Sequence, residues 1–396
     1  MSLSRKKVIL FVFGTRPEAI KLAPVIQAFQ KDGELEVRVC VTGQHRELLD
    51  QVLGFFEIEP DIDLDLMVPD QRLPNLAAKV IACCADVLEK MKPDLVFVQG
   101  DTTSAFAAAF SASLCRVPVA HVEAGLRSLD KSSPFPEEIN RVLVGHLAEL
   151  HFTPSAESAV NLRREGHSHN IHVVGNSIVD ALRQLLPTFA EVRDETYLGK
   201  FPSDSSRRKL VFVTLHRRES FGMPLHNLCR AVRQIAEECP GADVIFPVHP
   251  NRQVMSVVSN ILTGINGVRL FEPISYAECI WLQCRASLVI TDSGGVLEEA
   301  VTLGVPVLVA REVTERSEAI SSGHAQLLGF DRAAIFQAAV EVLAAESPPP
   351  DVPRVLRKTF GDGRTAERIV RISKEYLHQD RPLKAVGTVV NILGAS

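Results

Sequence analysis

The sequence predicts an α/β protein built from two doubly wound domains, and three observations carry that prediction. The chain has 396 residues, enough for two hydrophobic cores. Short β-rich runs alternate along it with stretches whose apolar residues recur at helical spacing. The β-rich runs are almost continuously apolar, as expected of parallel strands covered on both faces.

In the first half the strand candidates are VILFVFG, VRVCVTG, DLVFVQGD, PVAHVEAG, ELHFTP and IHVVGN. The second half offers LVFVTLH, DVIFPVHP, VRLFEP, SLVITDSGG, PVLVA and AQLLG. Segments such as LPNLAAKVIACCADVLEKM and PLHNLCRAVRQIAEEC supply the intervening helices. Six strands are thus expected in each half. The break between them falls either in the polar stretch FPSDSSRRK, residues 201–209, or earlier, near GNSIVDAL. We place the domains at 1–178 and 179–365, with the amphipathic tail, 366–396, packed back on the first domain.

Composition narrows the function classes. With 46% hydrophobic residues, 23% charged residues and a formal net charge of -5, the chain reads as a globular enzyme and not as a nucleic-acid binder. The eight cysteines form no C-x-x-C pair and read as reduced thiols of a cytoplasmic protein. MSLSRKK precedes only six apolar residues, and no run reaches transmembrane length, so neither a secretory leader nor a membrane span is expected.

In doubly wound sheets, ligands bind at the carboxyl ends of the strands, and the charged residues collect there. The first strand runs into Thr15-x-x-Glu18, a capping box, with Pro17 in the first helical turn and Arg16 and Lys21 nearby. An anion is expected at this helix start. Pro24 should kink the helix or restart it one turn later. At VITDSGGVLEEA, Ser293, Gly294 and Gly295 make a small-residue turn into a helix whose amides suit phosphate oxygens. Glu298 and Glu299, one turn in, suit ribose hydroxyls. Neither a dinucleotide fingerprint nor a Walker loop is present.

Asp101 and Glu123 end adjacent strands, and Glu137 opens a helix after a proline-bounded loop. Acids converging in this way suit proton transfer to and from carbon. His216, Arg217 and Arg218 follow another strand, and Arg311 and Arg316 follow a third, as a diphosphate clamp would require. Two segments mimic metal sites. DIDLDL alternates acid and apolar residues like a half-exposed strand, and HSHNIH (His167, His169, His172) lies in a turn with no evident acid or thiol companion. No metal and no cofactor are expected.

The segments FGTRPEAIKLAP, TGQHRELLDQVL, GDTTS, HVEAGLRS, SPFPEEINR, HRRESFG, PVHPN, TDSGG…EEA and TERSEA occur in one order across nearly the whole chain. Together they resemble the bacterial non-hydrolysing UDP-N-acetylglucosamine 2-epimerases. The resemblance implies two Rossmann-like domains in the B-type glycosyltransferase arrangement, facing a cleft, with UDP held mainly by the second. By position, Arg16, Lys21, His216, Ser293, Gly294, Gly295, Glu299 and Arg316 match the family's nucleotide and cleft residues. Asp101, Glu123 and Glu137 match its catalytic acids, with His216 a further candidate. Gln44, His45, Gln71, Arg217, Glu219 and His249 stand near the positions that bind a second, activating UDP-GlcNAc. Asp70 stands where some members carry a basic residue.

The implied reaction interconverts UDP-GlcNAc and UDP-ManNAc, supplying ManNAc units for surface polysaccharide, and a homodimer is expected. Competing readings are a glycosyltransferase of the same fold, a hydrolysing 2-epimerase that releases free sugar, and a nucleotide-sugar sensor.

Overall fold

The computed structural model describes residues 5–43, 46–66, 68, 71–191, 197, 199–201, 209–215, 217, 220–239, 241–345 and 358–379. The first domain is a sheet of β1 (Val8–Phe13), β2 (Glu36–Val41), β3 (Ile62–Asp63), β4 (Leu95–Gln99), β5 (Val119–Val122), β6 (Leu150–Thr153) and β7 (Ile171–Val173). Around it lie α1 (Arg16–Asp32), α2 (Arg46–Phe55), α3 (Leu73–Met91), α4 (Thr103–Leu114), α5 (Glu137–Leu147), α6 (Ala156–Arg164) and α7 (Ser177–Glu191). The second sheet contains β8 (Lys209–Thr214), β9 (Ala242–Pro247), β10 (Val268–Phe271), β11 (Leu288–Thr291), β12 (Val307–Val309) and β13 (Ala325–Leu327). Its helices are α8 (Met223–Glu238), α9 (Arg252–Leu262), α10 (Tyr276–Arg285), α11 (Gly294–Thr302), α12 (Ser317–Ser321) and α13 (Arg332–Ala344), and α14 (Thr365–His378) follows.

Each apolar run named from the sequence forms a strand. The first sheet carries one more than expected, because β3 arises from DIDLDL and pairs only Ile62 and Asp63 with β2. The acid before it, Asp61, accepts the Val39 amide at 2.8 Å and an Arg38 guanidinium hydrogen at 2.6 Å. That acid ties down a sheet edge.

All strand pairs are parallel, and the orders are β3-β2-β1-β4-β5-β6-β7 and β10-β9-β8-β11-β12-β13. In both sheets the winding reverses beside the first strand, between β1 and β4 and between β8 and β11. These are the points where loops diverge and leave a crevice at the carboxyl ends.

Phe11 of β1 stacks on Phe97 of β4 at 4.6 Å, and Phe29 of α1 meets Phe97 edge-on at 5.4 Å. This aromatic contact fixes α1 over the first switch point. The same buried cluster continues into Tyr276 and Trp281 of α10, so the apolar core spans both domains. α1 runs unbroken through Pro24, and the expected restart does not occur: the segment around it, from Glu18 to Ile26, is buried, and packing holds the helix. α14 lies against the first domain. Lys374 contacts Asp32 at 2.9 Å and Glu34 at 2.5 Å, and Arg368 donates to the Val174 carbonyl at 3.0 Å.

Gly125 follows β5 with φ +87°, and a Cβ there would lie 2.2 Å from the Ser158 carbonyl oxygen. Backbone cannot yield as a flexible side chain does. Gly125→Ala is expected to lower the unfolding free energy by about 3 kcal/mol or more, read from the urea midpoint.

Candidate active site

Two adjacent strand tips of the first domain, those of β4 and β5, each deliver one acid. After β4, Gly100 turns the chain with φ +68°, and the His121 ring nitrogen Nε2 lies 2.8 Å from its carbonyl. Burial pushes the His121 imidazole down to about 4, so the neutral ring donates that bond and fixes the turn. Asp101 follows. Its carboxylate accepts a hydrogen bond from Arg141 of α5, and its carbonyl accepts Asn140 Nδ2 at 2.9 Å. Glu137, at the start of α5, is raised by burial and by the nearby Asp101 charge. After β5, Glu123 takes φ +65°, a conformation costly for a non-glycine residue. The carboxylate is thereby directed at Lys21 in the second turn of α1, with Gln99 Nε2 at 3.2 Å.

In the second domain, Ser293 caps α11, and Gly294 opens it under the Arg316 guanidinium. A Cβ on Gly294 would lie 2.6 Å from the guanidinium carbon. Only glycine lets the cation sit over the amino end of that helix, where the backbone dipole is already positive. Gly295 has open space beside it, its Cβ position meeting only Ser293 Oγ at 4.0 Å.

The two sets of residues meet at the carboxyl edges of the sheets. Lys21 Nζ contacts Glu298 at 2.8 Å as well as Glu123. Arg316 spreads over three carboxylates: Nε to Glu298 at 2.7 Å, Nη1 to Glu315, and Nη2 to Glu123 at 3.5 Å. Glu315 also faces Arg311 at 3.1 Å and Arg141 at 3.7 Å.

The protonation pattern follows from this lattice. Burial alone would raise Glu315, but Arg316, Arg311 and Arg141 hold it well below the carboxylate range. Burial would lower Lys21, but Glu123 and Glu298 hold it above its usual value. Glu123 itself is raised, because burial outweighs Lys21 and Arg316. Glu299 is raised by burial to about 7, despite the 2.8 Å hydrogen bond from Gln283 and the nearby Arg16. The site therefore contains permanently charged clamps beside acids of raised proton affinity, Glu123, Glu137 and Glu299.

Of the candidates from sequence, the structure brings together Lys21, Asp101, Glu123, Glu137, Gly294, Glu299 and Arg316, with half-buried Arg16 beside Glu299 and Ser293 capping α11. Arg217 lies at the end of β8; its backbone amide donates to Asp292 at 3.0 Å and its charge reaches Glu137 and Glu315. His249 is exposed after β9, its Nδ1 accepting the Asn251 amide at 3.2 Å, and Gln71 precedes α3. Gln44, His45, Asp70, His216, Arg218 and Glu219 lie outside the described residues.

Two expectations change. At the start of α1 the Gly14 and Thr15 amides donate to Glu18 Oε2 at 3.0 and 2.8 Å, so the capping carboxylate occupies two of the donors foreseen for a ligand. Glu298, paired from sequence with Glu299 as a ribose acceptor, instead bridges Lys21 and Arg316. Arg141, Glu315, Gln283 and His121 also belong to this junction and are not among the candidates named from sequence. Arg141 stands one turn after Glu137 and Glu315 four residues after Arg311, a spacing that would have pointed to both. His121 and Gln283 read as interior residues of a strand and a helix.

HSHNIH has an acid companion after all. His167, Glu165 and His146 place their ligand atoms within 4.8 Å of one another, far in the fold from these acids.

Two facing Rossmann-like domains of parallel strands have the architecture of B-type glycosyltransferases and their relatives. A glycosyltransferase of kitacinnamycin shares that fold at TM-score 0.55 and 14% identity. The family model for UDP-N-acetylglucosamine 2-epimerase matches residues 27–374. A UDP-N-acetylglucosamine 2-epimerase of Salmonella typhimurium is 44% identical over 372 residues, covering 93% of this chain and 98% of the relative. The Neisseria meningitidis UDP-GlcNAc 2-epimerase bound to UDP-GlcNAc superposes with TM-score 0.88 at 37% identity, over 93% of this chain and 100% of that one. The Methanocaldococcus jannaschii UDP-GlcNAc 2-epimerase in complex with UDP-GlcNAc and UDP gives TM-score 0.82 at 34% identity, over 93% and 99%. The chain belongs to the UDP-N-acetylglucosamine 2-epimerase family, whose members are isomerases.

Glu299 provides a pH test. Its folded value, about 7, lies above the ordinary carboxylate value of 4.5, so the folded protein binds this proton more tightly than the unfolded chain. Its contribution is favourable at low pH and is lost as pH rises towards 7. Glu299→Gln removes the buried charge and is expected to stabilise the protein by about 2 kcal/mol at pH 8. The gain should vanish near pH 5; parallel denaturant curves at the two pH values decide it.

Proposed function

We propose that the protein interconverts UDP-N-acetylglucosamine and UDP-N-acetylmannosamine by eliminating UDP and adding it back, without releasing free sugar. The observation that carries this reading is the meeting of Arg316 and Lys21 with the strand-tip acids in one buried junction. The hydrogen on carbon 2 of the sugar is too weakly acidic to be removed directly. If the C1–O bond to UDP breaks as that proton leaves, the C2–H electron pair becomes a C1=C2 double bond, and the C1–O pair departs on UDP. Reprotonation of carbon 2 on the opposite face and attack of the UDP oxygen on C1 complete the epimerisation.

Each part falls to residues of this chain. Arg316, with the amino end of α11 at Ser293, Gly294 and Gly295, holds the diphosphate and accepts its growing charge. Glu299 receives the ribose hydroxyls, and Arg16 lies beside it. Glu123, Glu137 and Asp101 exchange the proton, the first two with raised proton affinity. Arg141 orients Asp101, and Lys21 orients Glu123. His216 is a further proton carrier by position. Gln44, His45, Gln71, Arg217, Glu219 and His249 form the proposed activator site for a second UDP-GlcNAc. The product would supply ManNAc units for surface polysaccharide.

A hydrolysing enzyme would release N-acetylmannosamine and UDP. The test follows UDP-GlcNAc alone with the protein in heavy water by NMR. UDP-ManNAc should appear carrying deuterium at carbon 2; product without deuterium there sinks the elimination. Asp101→Asn, Glu123→Gln and Glu137→Gln should each fold and lose about 10²-fold or more in turnover.

A cytoplasmic setting is supported by the cysteines. All eight lie among the described residues, and none forms a disulfide. No helix among the described residues is long and apolar enough to cross a membrane. We also propose a homodimer, because Phe110 and Leu114 of α4 and Leu143 of α5 expose apolar surface on neighbouring helices. Leu114→Glu should then shift the sedimentation coefficient from that of a dimer to that of a monomer.

A further inference from the structure

Opposite the acids, at the far end of α5, three residues from two segments converge. His146 lies in the last turn of α5, and Glu165 and His167 sit in the turn between α6 and β7. One ligand atom from each lies within 4.8 Å of the others. The His167 ring is flanked by His146 and by His151 of β6, each centroid 4.9 Å away. Two of these ring nitrogens, His167 Nε2 and His151 Nδ1, are buried without a hydrogen-bond partner among the described residues, an arrangement that needs a reason.

Glu165 is held from behind. Arg127 Nε and Nη2 donate to its two oxygens at 2.6 and 2.7 Å. A carboxylate offers about four lone-pair positions, so this fork leaves acceptor capacity on the other side. Support of a ligating carboxylate by such a hydrogen-bonding partner is the usual second layer of a metal centre.

We infer that His146, Glu165 and His167 form a binding site for a divalent transition-metal ion, with water completing the coordination. Two imidazoles and a carboxylate select zinc, nickel or copper over magnesium and calcium, which prefer oxygen donors alone. Position assigns the ion a structural task. His151, Glu165 and His167 sit at the amino-terminal edge of β6 and β7, whereas Asp101 and Glu123 sit at the carboxyl edge of β4 and β5. α5 joins the two places: Glu137 is its first residue and His146 lies in its last turn, roughly 14 Å along the axis. An ion bound there would fasten the distal end of the helix that carries Glu137 and Arg141.

The full chain, stripped with EDTA and dialysed, is titrated with zinc chloride by calorimetry and separately with cobalt(II) by visible absorption. The expected result is one ion per chain, cobalt bands of tetrahedral intensity, and affinity at least ~10-fold weaker in His146→Ala and His167→Ala. His146 is exposed, so its variant keeps the test valid should His167→Ala not fold. His169→Ala, an exposed histidine two residues further on, should bind as the wild type does. Absence of a one-to-one event, binding unchanged in His146→Ala, or equal loss in His169→Ala overturns the site.

Discussion

A single guanidinium organises the junction between the domains. Arg316 reaches Glu298 and Glu315 of its own domain and Glu123 of the other, and it is itself only 7% exposed. A cation removed from water is tolerable only when its donors are satisfied by charge, and here three carboxylates do so. Each of those acids would be costly alone. Glu298 needs Lys21 as well as Arg316, and Glu315 needs Arg311 and Arg141. Removing any one member leaves a buried charge without its counterpart, so the lattice stands or falls as a unit.

The lattice also explains why the local backbone departs from easy conformations. Glu123 adopts φ +65° and Gly100 φ +68° at adjacent strand tips. The first exposes a glutamate to strain that an asparagine or glycine would avoid, which is sensible only if its carboxylate must point at Lys21 and Arg316. Gly294 lacks a Cβ for a similar reason, since the guanidinium lies where that atom would be. Strain and close approach are concentrated where charged groups must be aimed, and the sheets behind them are regular and apolar.

How far sequence carries depends on the range of the interaction. The strands were legible because apolar runs and their turns are local, and parallel winding then placed Asp101, Glu123 and the Ser293-Gly294-Gly295 turn at carboxyl ends. Pattern alone could not reveal which charges pair across the junction. Glu298 and Glu299 are neighbours in sequence, yet one bridges Lys21 and Arg316 while the other lies beside Gln283 and Arg16 with a raised proton affinity. Their fates diverge because adjacent helical residues face directions about 100° apart. The Glu18 carboxylate is legible as a cap, but that it takes both the Gly14 and the Thr15 amide is visible only in the structure. Glu165 lies two residues before HSHNIH in the same turn, but His146 stands in α5, and no spacing rule links it to them.

If a nucleotide diphosphate is the ligand, the lattice makes binding and domain arrangement inseparable. Diphosphate oxygens approaching Arg316 compete with Glu123, Glu298 and Glu315 for the same donors. Glu123 is the partner contributed by the other domain, and at 3.5 Å it is also the most distant of the three. It is therefore the one most readily exchanged. An acid released from Arg316, while still beside Lys21, gains basicity as it loses a cation. Ligand binding would then couple two events through one guanidinium: a contact between the domains changes, and Glu123 becomes a better proton acceptor when there is a carbon-bound proton to take.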